Sequence, residues 1–136
     1  MSSLPIFDIA GSALSAQSVR LNTVASNLAN ADDVSGDPAS VYRPREAVFS
    51  ALVSDPMNPG VAGVRTNGVV ESQSAPVKRF EPGNPLADGQ GYVYAPDIDP
   101  VAQMVNMISS SRAYQDDVEM VNTAKELALS TLSMGS

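Results

Sequence analysis

Acidic residues gather at three places in this chain: Asp32-Asp33, Asp97 with Asp99, and Asp116-Asp117 with Glu119. Two carboxylates in one pocket can do general acid–base work, and a longer acidic series can hold a hard cation. The partners that such chemistry needs are missing. The chain contains no His and no Cys, so it lacks the commonest general base and the best transition-metal ligands, and no Ser–His–Asp triad can form. Neither Lys78 nor Lys125 has Ser or Thr three residues before it, which removes the Ser-x-x-Lys arrangement. No Gly-rich phosphate loop and no calcium-binding loop pattern occurs. Asp97 and Asp99 read as capping and dipole residues ahead of a helix. Asp116, one turn from Arg112, reads as part of a solvated helix face. The Met104 and Met107 pair reads as apolar packing. No catalytic, cofactor-binding or metal-binding residue is assigned. An enzyme working by carboxylates alone stays open, and it requires two carboxyl groups roughly 5–9.5 Å apart in one cleft.

The residues that do recur at a meaningful spacing are apolar. Phe7, Leu14, Leu21 and Leu28 fall seven apart, with Ala10, Gln17, Val24 and Ala31 between them. This heptad stripe predicts a helix over Ser3–Ala31 that packs along another helix. Ser3 is the expected cap, with Pro5 in the first turn and Asp8 near the positive end. Between Ser2 and Ala31 the only charged residues are Asp8 and Arg20, and most other positions are Ser, Ala, Gly, Asn, Thr or Gln. A water-facing helix usually carries charged i, i+4 pairs. Small uncharged residues all round suit close contact on several sides.

A second helix is expected at the other end. Asp99 is placed to cap it and Pro100 to occupy its first position. From Val101 to Ser133 there is no Pro or Gly. Met104, Met107, Ser111, Tyr114, Val118, Val121, Lys125, Ala128 and Leu132 step by three and four, giving a helix of roughly 35 residues, about 50 Å long. Between the helices lie eight of the ten prolines and seven of the nine glycines, which excludes long helices there. Glu46–Val53 reads as a strand. Val61–Ser72 reads as a hairpin around Asn67-Gly68. Pro76–Phe80 and Gly91–Tyr94 read as two short strands with a turn at Asp88-Gly89. The Asp32–Tyr42 loop is expected to be partly mobile.

The expected fold is mainly α. An antiparallel, coiled-coil-type pair of long terminal helices (1–33 and 97–136) flanks a small β-rich, Pro/Gly-rich module (34–96). Hydrophobic residues make up 43% of the chain but aromatics only 5%, with no Trp, so the core should be thin. One helix–helix seam stabilises two long helices only marginally against the entropy of ordering them. The ends are therefore expected to gain order from packing against other subunits. A net charge of −7 without a basic patch argues against nucleic-acid binding and gives little attraction to anionic lipid. No apolar run is long enough to cross a membrane. The basic start and apolar run of a cleaved secretory signal are missing as well.

Three blocks of sequence resemble a known family. Phe7-Asp8-Ile9-Ala10-Gly11-Ser12-Ala13-Leu14-Ser15-Ala16-Gln17 followed by Ala25-Ser26-Asn27-Leu28-Ala29-Asn30-Ala31 resembles the start of the bacterial flagellar axial proteins, the rod and hook family. Glu81-Pro82-Gly83-Asn84-Pro85-Leu86-Ala87-Asp88 with Gly91-Tyr92-Val93 resembles the middle of its short proximal rod members. So does Met104-Val105-Asn106-Met107 followed by Ser111-Arg112-Ala113-Tyr114-Gln115. The likeness covers nearly the whole chain. Pro100 departs from it, standing in place of an aliphatic residue, as does Asp116-Asp117 in place of Ala-Asn. The resemblance implies a non-enzymatic subunit exported by the flagellar type III apparatus without a cleaved signal. It implies polymerisation into a helical shaft that transmits torque across the periplasm. The implied partners are further copies, the other proximal and distal rod subunits, and a basal-body junction protein, with no nucleic acid, no membrane insertion and no cofactor. The expected subunit-packing residues are Phe7, Leu14, Leu21, Val24, Asn27, Leu28, Asn30, Met104, Met107, Tyr114, Val118, Val121 and Leu132. Buried amides at Asn27 and Asn30 are expected to fix register between subunits. The alternative is a secreted adaptor or junction protein that docks through its terminal helices without polymerising.

Overall fold

A computed structural model describes residues 3–53, 56–57 and 60–135, and the side chains of residues 3 and 4 fall outside it. The elements run in the order α1 (Ser3–Ala29), β1 (Arg45–Val53), β2 (Ala62–Glu71), β3 (Val77–Phe80), β4 (Tyr92–Ala95) and α2 (Pro100–Met134). The chain is mainly α, with two small antiparallel sheets, β1–β2 and β3–β4. Two compact units form. One comprises Met1–Leu21, Ala47–Gly68 and Ile108–Ser136, and the other Asn22–Glu46 and Val69–Met107.

Both helices end as their sequences dictate. The expected cap at Ser3 lies outside the described side chains. At the other end of α1 the chain tightens, with Ala31 N–H donating to Leu28 O (3.3 Å) and Asp33 N–H to Asn30 O (3.2 Å). The Asn30 side-chain amide donates to Ser26 O (2.8 Å), satisfying a carbonyl of the last turn. At the start of α2, Asp99 Oδ1 accepts from Val101 N–H (3.0 Å) and Asp99 O accepts from Gln103 N–H (3.0 Å). Asp99 is thus the N-cap, and Pro100 occupies the position where a missing N–H costs nothing. Gly135 N–H closes the helix on Thr131 O (3.2 Å).

In the second unit β3 pairs antiparallel with β4 in the register Val77 with Ala95, Lys78 with Tyr94, Arg79 with Val93 and Phe80 with Tyr92. Ser35 extends this sheet, exchanging two backbone hydrogen bonds with Tyr94 (2.8 and 2.9 Å). The core of the unit contains Val24, Ala31, Val41, Val93 and Ala95, all buried. The turn into β4 is built on Asp88. Its Oδ1 accepts from Gln90 N–H and Tyr92 N–H (both 2.9 Å). These two bonds, helped by the nearby Lys78 charge, hold the Asp88 carboxyl below its ordinary range. Gly91 has φ of 82°, and a Cβ there would lie 3.0 Å from Phe80 Cε2 and 3.1 Å from Pro82 Cβ. Only glycine fits both demands. The Asp32–Tyr42 loop, expected to be partly mobile, is held by the Ser35 bridge, by an Asp37 turn (Ala39 N–H to Asp37 Oδ1, 2.9 Å) and by buried Val41.

One expectation fails. Asn67-Gly68 is not a hairpin turn, since Ala62–Glu71 is a single strand pairing with β1. The β1–β2 connection lies earlier, between Val53 and Ala62. Gly68 keeps a φ of 127° inside β2, so the dipeptide marks an irregularity within the strand.

Candidate assembly surfaces

The two helices differ in how their faces are used: α1 turns mostly small and polar residues outward, whereas α2 leaves its large apolar residues exposed. On α1 the buried residues are Ala10, Ala16, Thr23, Val24 and Asn27, nearly all small or polar. Phe7, Leu14, Leu21 and Leu28 are only half-buried, and Ile6 is exposed. On α2 only Ser110 and Ala124 are buried. Gln103, Asn106, Met107, Ala113, Asp117, Val121 and Ala128 share their side of the helix and are half-buried. The row Gln103, Ser110, Asp117 and Ala124 has heptad spacing, but it is made of small and polar residues.

The large apolar side chains of α2 lie elsewhere. Val101 (67% exposed), Met104 (50%), Val105 (61%) and Ile108 (57%) stand at i, i+3, i+4 and i+7. This spacing places them in one patch on the side away from Ser110. Tyr114, Val118, Leu127, Leu129 and Leu132 are exposed as well. The inward face of α2 is therefore rotated from the stripe expected on hydrophobicity alone. Of the residues named for subunit packing on this helix, Met107 and Val121 are half-buried, Tyr114 (38%) and Val118 (37%) are partly exposed, and Met104 and Leu132 are exposed.

Small inward residues permit close backbone approach, and the hairpin uses this in both units. In the first unit Ser12 Oγ donates to Ile9 O (2.7 Å) and accepts from Val64 N–H (3.0 Å). The approach is so close that a Cβ on Gly63 would lie 2.9 Å from Ser12 Oγ. In the second unit Asn27 is a hub. Its Oδ1 accepts from Arg45 N–H (2.8 Å) and Tyr42 Oη–H (3.0 Å), and its Nδ2 donates to Arg45 O (2.8 Å) and Gln103 Oε1 (3.4 Å). The side-chain amide thus pairs with both backbone groups of Arg45, as a neighbouring strand would. Ser26 Oγ adds a bond to Tyr42 Oη (2.9 Å). Asn27 and Asn30 are the amides expected to fix register between subunits. All four Asn27 positions are used inside the chain, and the Asn30 amide is used within its own helix. Sequence alone marked Asn27 as a buried amide. Its partners Tyr42 and Arg45, distant in sequence, carried no signal.

Asp116 and Glu119 line a cleft of about 370 Å³ with Ile6, Met120, Thr123, Ala124 and Leu127. Both are exposed. Asp117 is the carboxyl whose pKa is raised, by desolvation and then by the neighbouring Asp116 charge, and it does not line that cleft. Among the described residues no group of three or more acidic residues could hold a metal ion, and no helix is long and apolar enough to cross a membrane.

Comparison with known proteins assigns these helices. The family model "Flagella basal body rod protein" matches residues 7–36, and "Flagellar basal body rod FlgEFG protein C-terminal" matches residues 90–134. Flagellar basal-body rod protein FlgC of Escherichia coli O6:H1 is 52% identical, covering 99% of both chains. The FlgC proteins of Salmonella typhimurium and Yersinia enterocolitica are 51% and 50% identical over the same share. The chain belongs to the FlgC family of flagellar basal-body rod proteins. It is a structural rod subunit of the flagellar basal body. The two family matches fall on the two helices: 7–36 spans most of α1 and the Ser35 bridge, and 90–134 spans β4 and α2.

Proposed function

We propose that this rod subunit polymerises through its terminal helices into the proximal part of a helical shaft that transmits torque across the periplasm. The observation carrying this reading is the outward apolar face of α2. Small residues point inward, and Val101, Met104, Val105 and Ile108 form an apolar patch facing solvent. A monomeric soluble protein rarely leaves such a surface open, and an assembly subunit covers it with a neighbour. The half-buried row Phe7, Leu14, Leu21 and Leu28 on α1 supplies a second proposed contact. Met107, Tyr114, Val118, Val121 and Leu132 complete the proposed packing set, while Val24, named with them from the sequence, is buried inside its own chain. A heterologous contact between different faces of identical subunits does not close on itself and so builds a filament.

The antiparallel pairing of the terminal helices belongs to the same proposal. In the first unit Ile6 shares a cleft with residues of α2 between Asp116 and Leu127, and in the second unit, taken by itself, Asn27 Nδ2 donates to Gln103 Oε1. Export through the flagellar type III apparatus without a cleaved signal, and contact with the other rod subunits and a junction protein, follow from family membership in this reading. The role is mechanical and needs no catalytic site or cofactor.

Leu21→Asp and Ile108→Asp test the seam. Ile108 is 57% exposed, so Ile108→Asp should leave the monomer folded by circular dichroism. Both variants should give cells that do not swim and yield no rods on basal-body isolation. Wild-type rods from Ile108→Asp would refute the placement of the seam. A discrete complex of fixed stoichiometry in place of a filament would favour the adaptor reading.

A further inference from the structure

The dipeptide that failed as a hairpin turn has chemistry of its own. We propose that Asn67 is a site of spontaneous succinimide formation, by which this chain converts an amide in β2 to aspartate and isoaspartate. In this reaction the backbone nitrogen of residue 68 attacks Asn67 Cγ and gives up its proton. The Cγ–Nδ2 bond breaks and Nδ2 leaves as ammonia. Water then adds across either carbonyl of the cyclic imide, giving aspartate or a backbone lengthened through the side chain. Water is the only co-reactant and no electrons are exchanged.

Four observations converge on Asn67. Residue 68 is glycine, so no side chain shields the attacking nitrogen, and nothing lies within 4 Å of where a Cβ would be. Its φ of 127° shows that the strand is irregular at the attacking residue, whereas a regular ladder would hold the peptide rigid. Asn67 and Gly68 are both exposed, so water reaches the imide. Ser50 Oγ lies 3.1 Å from Asn67 Oδ1 and donates to it. That bond falls on the carbonyl oxygen, draws electron density from Cγ and leaves the departing nitrogen out of the contact. The other asparagines whose side-chain partners are described differ. Asn27 has both ends of its amide engaged, Asn30 holds Ser26 O, and Asn84 is bonded to Glu81 and Leu86. None of these precedes glycine.

The product would matter to the fold. Either product adds a negative charge to a chain already at −7, and isoaspartate inserts an extra backbone atom into a strand paired with β1.

The test incubates the purified full-length chain at 37 °C at neutral and mildly alkaline pH. Tryptic peptides are followed by mass spectrometry with separation of the isoaspartate form, and an identical sample is held unfolded in denaturant. Conversion is expected in the Thr66–Lys78 peptide at a rate within about tenfold of the unfolded chain, a small change in barrier, and faster at the higher pH. Asn27 and Asn84 should stay intact. Ser50→Ala should preserve the sheet and slow the conversion. An Asn67 that stays unchanged in the folded chain while the unfolded sample converts overturns the proposal. An unchanged rate in Ser50→Ala overturns the part assigned to Ser50.

Discussion

Replacing Asn27 by alanine should destabilise the isolated chain more than any exposed substitution. Asn27 is 3% exposed. Its amide makes three hydrogen bonds of 3.0 Å or shorter, two to the backbone of Arg45 and one from Tyr42, besides the longer one to Gln103. At about 0.5–1.5 kcal/mol net for each short bond, the loss is ~1.5–4.5 kcal/mol. A chain of this size has on the order of 5–15 kcal/mol in all. Urea denaturation followed by circular dichroism reads this directly. With an m value of roughly 1–3 kcal/mol/M, the midpoint should fall by on the order of 1–2 M. Tyr42→Phe removes one bond of the set and should cost less. The double variant should lose less than the sum, because both changes remove the same contact. A midpoint shift for Asn27→Ala corresponding to less than about 0.5 kcal/mol, the range of ordinary surface changes, would refute the hub. The bonds would then be geometry without energetic consequence.

Gly91→Ala should lower stability by about 1–2 kcal/mol from the left-handed backbone alone, with more from the overlap with Phe80 and Pro82, read as a lower melting temperature. The Asp88 carboxyl is held below its ordinary 3.8 by the amides of Tyr92 and Gln90. Its contribution is therefore present above that value and lost as pH falls through the depressed folded-state pKa. In an NMR titration the Gln90 and Tyr92 amide signals should move with a midpoint below pH 3.8. Movement centred above that value would contradict the assignment.

Much of the fold is legible in the sequence because local chemistry and global structure agree there. Asp99-Pro100 announces the start of α2, and the structure uses both residues in the roles their side chains allow. The strands β1, β3 and β4 fall within a residue or two of their alternating apolar runs. The direction in which each helix face points is not legible in the same way. Periodicity reveals a stripe but not what covers it. Where a helix carries apolar residues on more than one side, hydrophobicity cannot separate the face against its own chain from one left for a neighbour. Val101, Met104, Val105 and Ile108 show this on α2, where the inward positions went to Ser110 and Ala124. Asn67-Gly68 misleads for a related reason. The pair signals a residue with positive φ, and the structure provides one, but within a strand. The Asn27 hub depends on Tyr42 and Arg45, and no local pattern couples residues that far apart.

The central claim is that the outward apolar face of α2 becomes covered when the rod assembles. The chain has no cysteine, so a single thiol introduced by V105C gives a clean probe at a position 61% exposed in the isolated chain. The measurement is the rate of maleimide labelling of V105C in the purified monomer, in intact basal bodies, and in basal bodies dissociated in denaturant. Rapid labelling of the monomer and the dissociated sample, with protection in the intact particle, is the predicted result. Equal labelling in monomer and intact basal body, with motility retained, would show that this face stays open to solvent in the rod and would contradict the account.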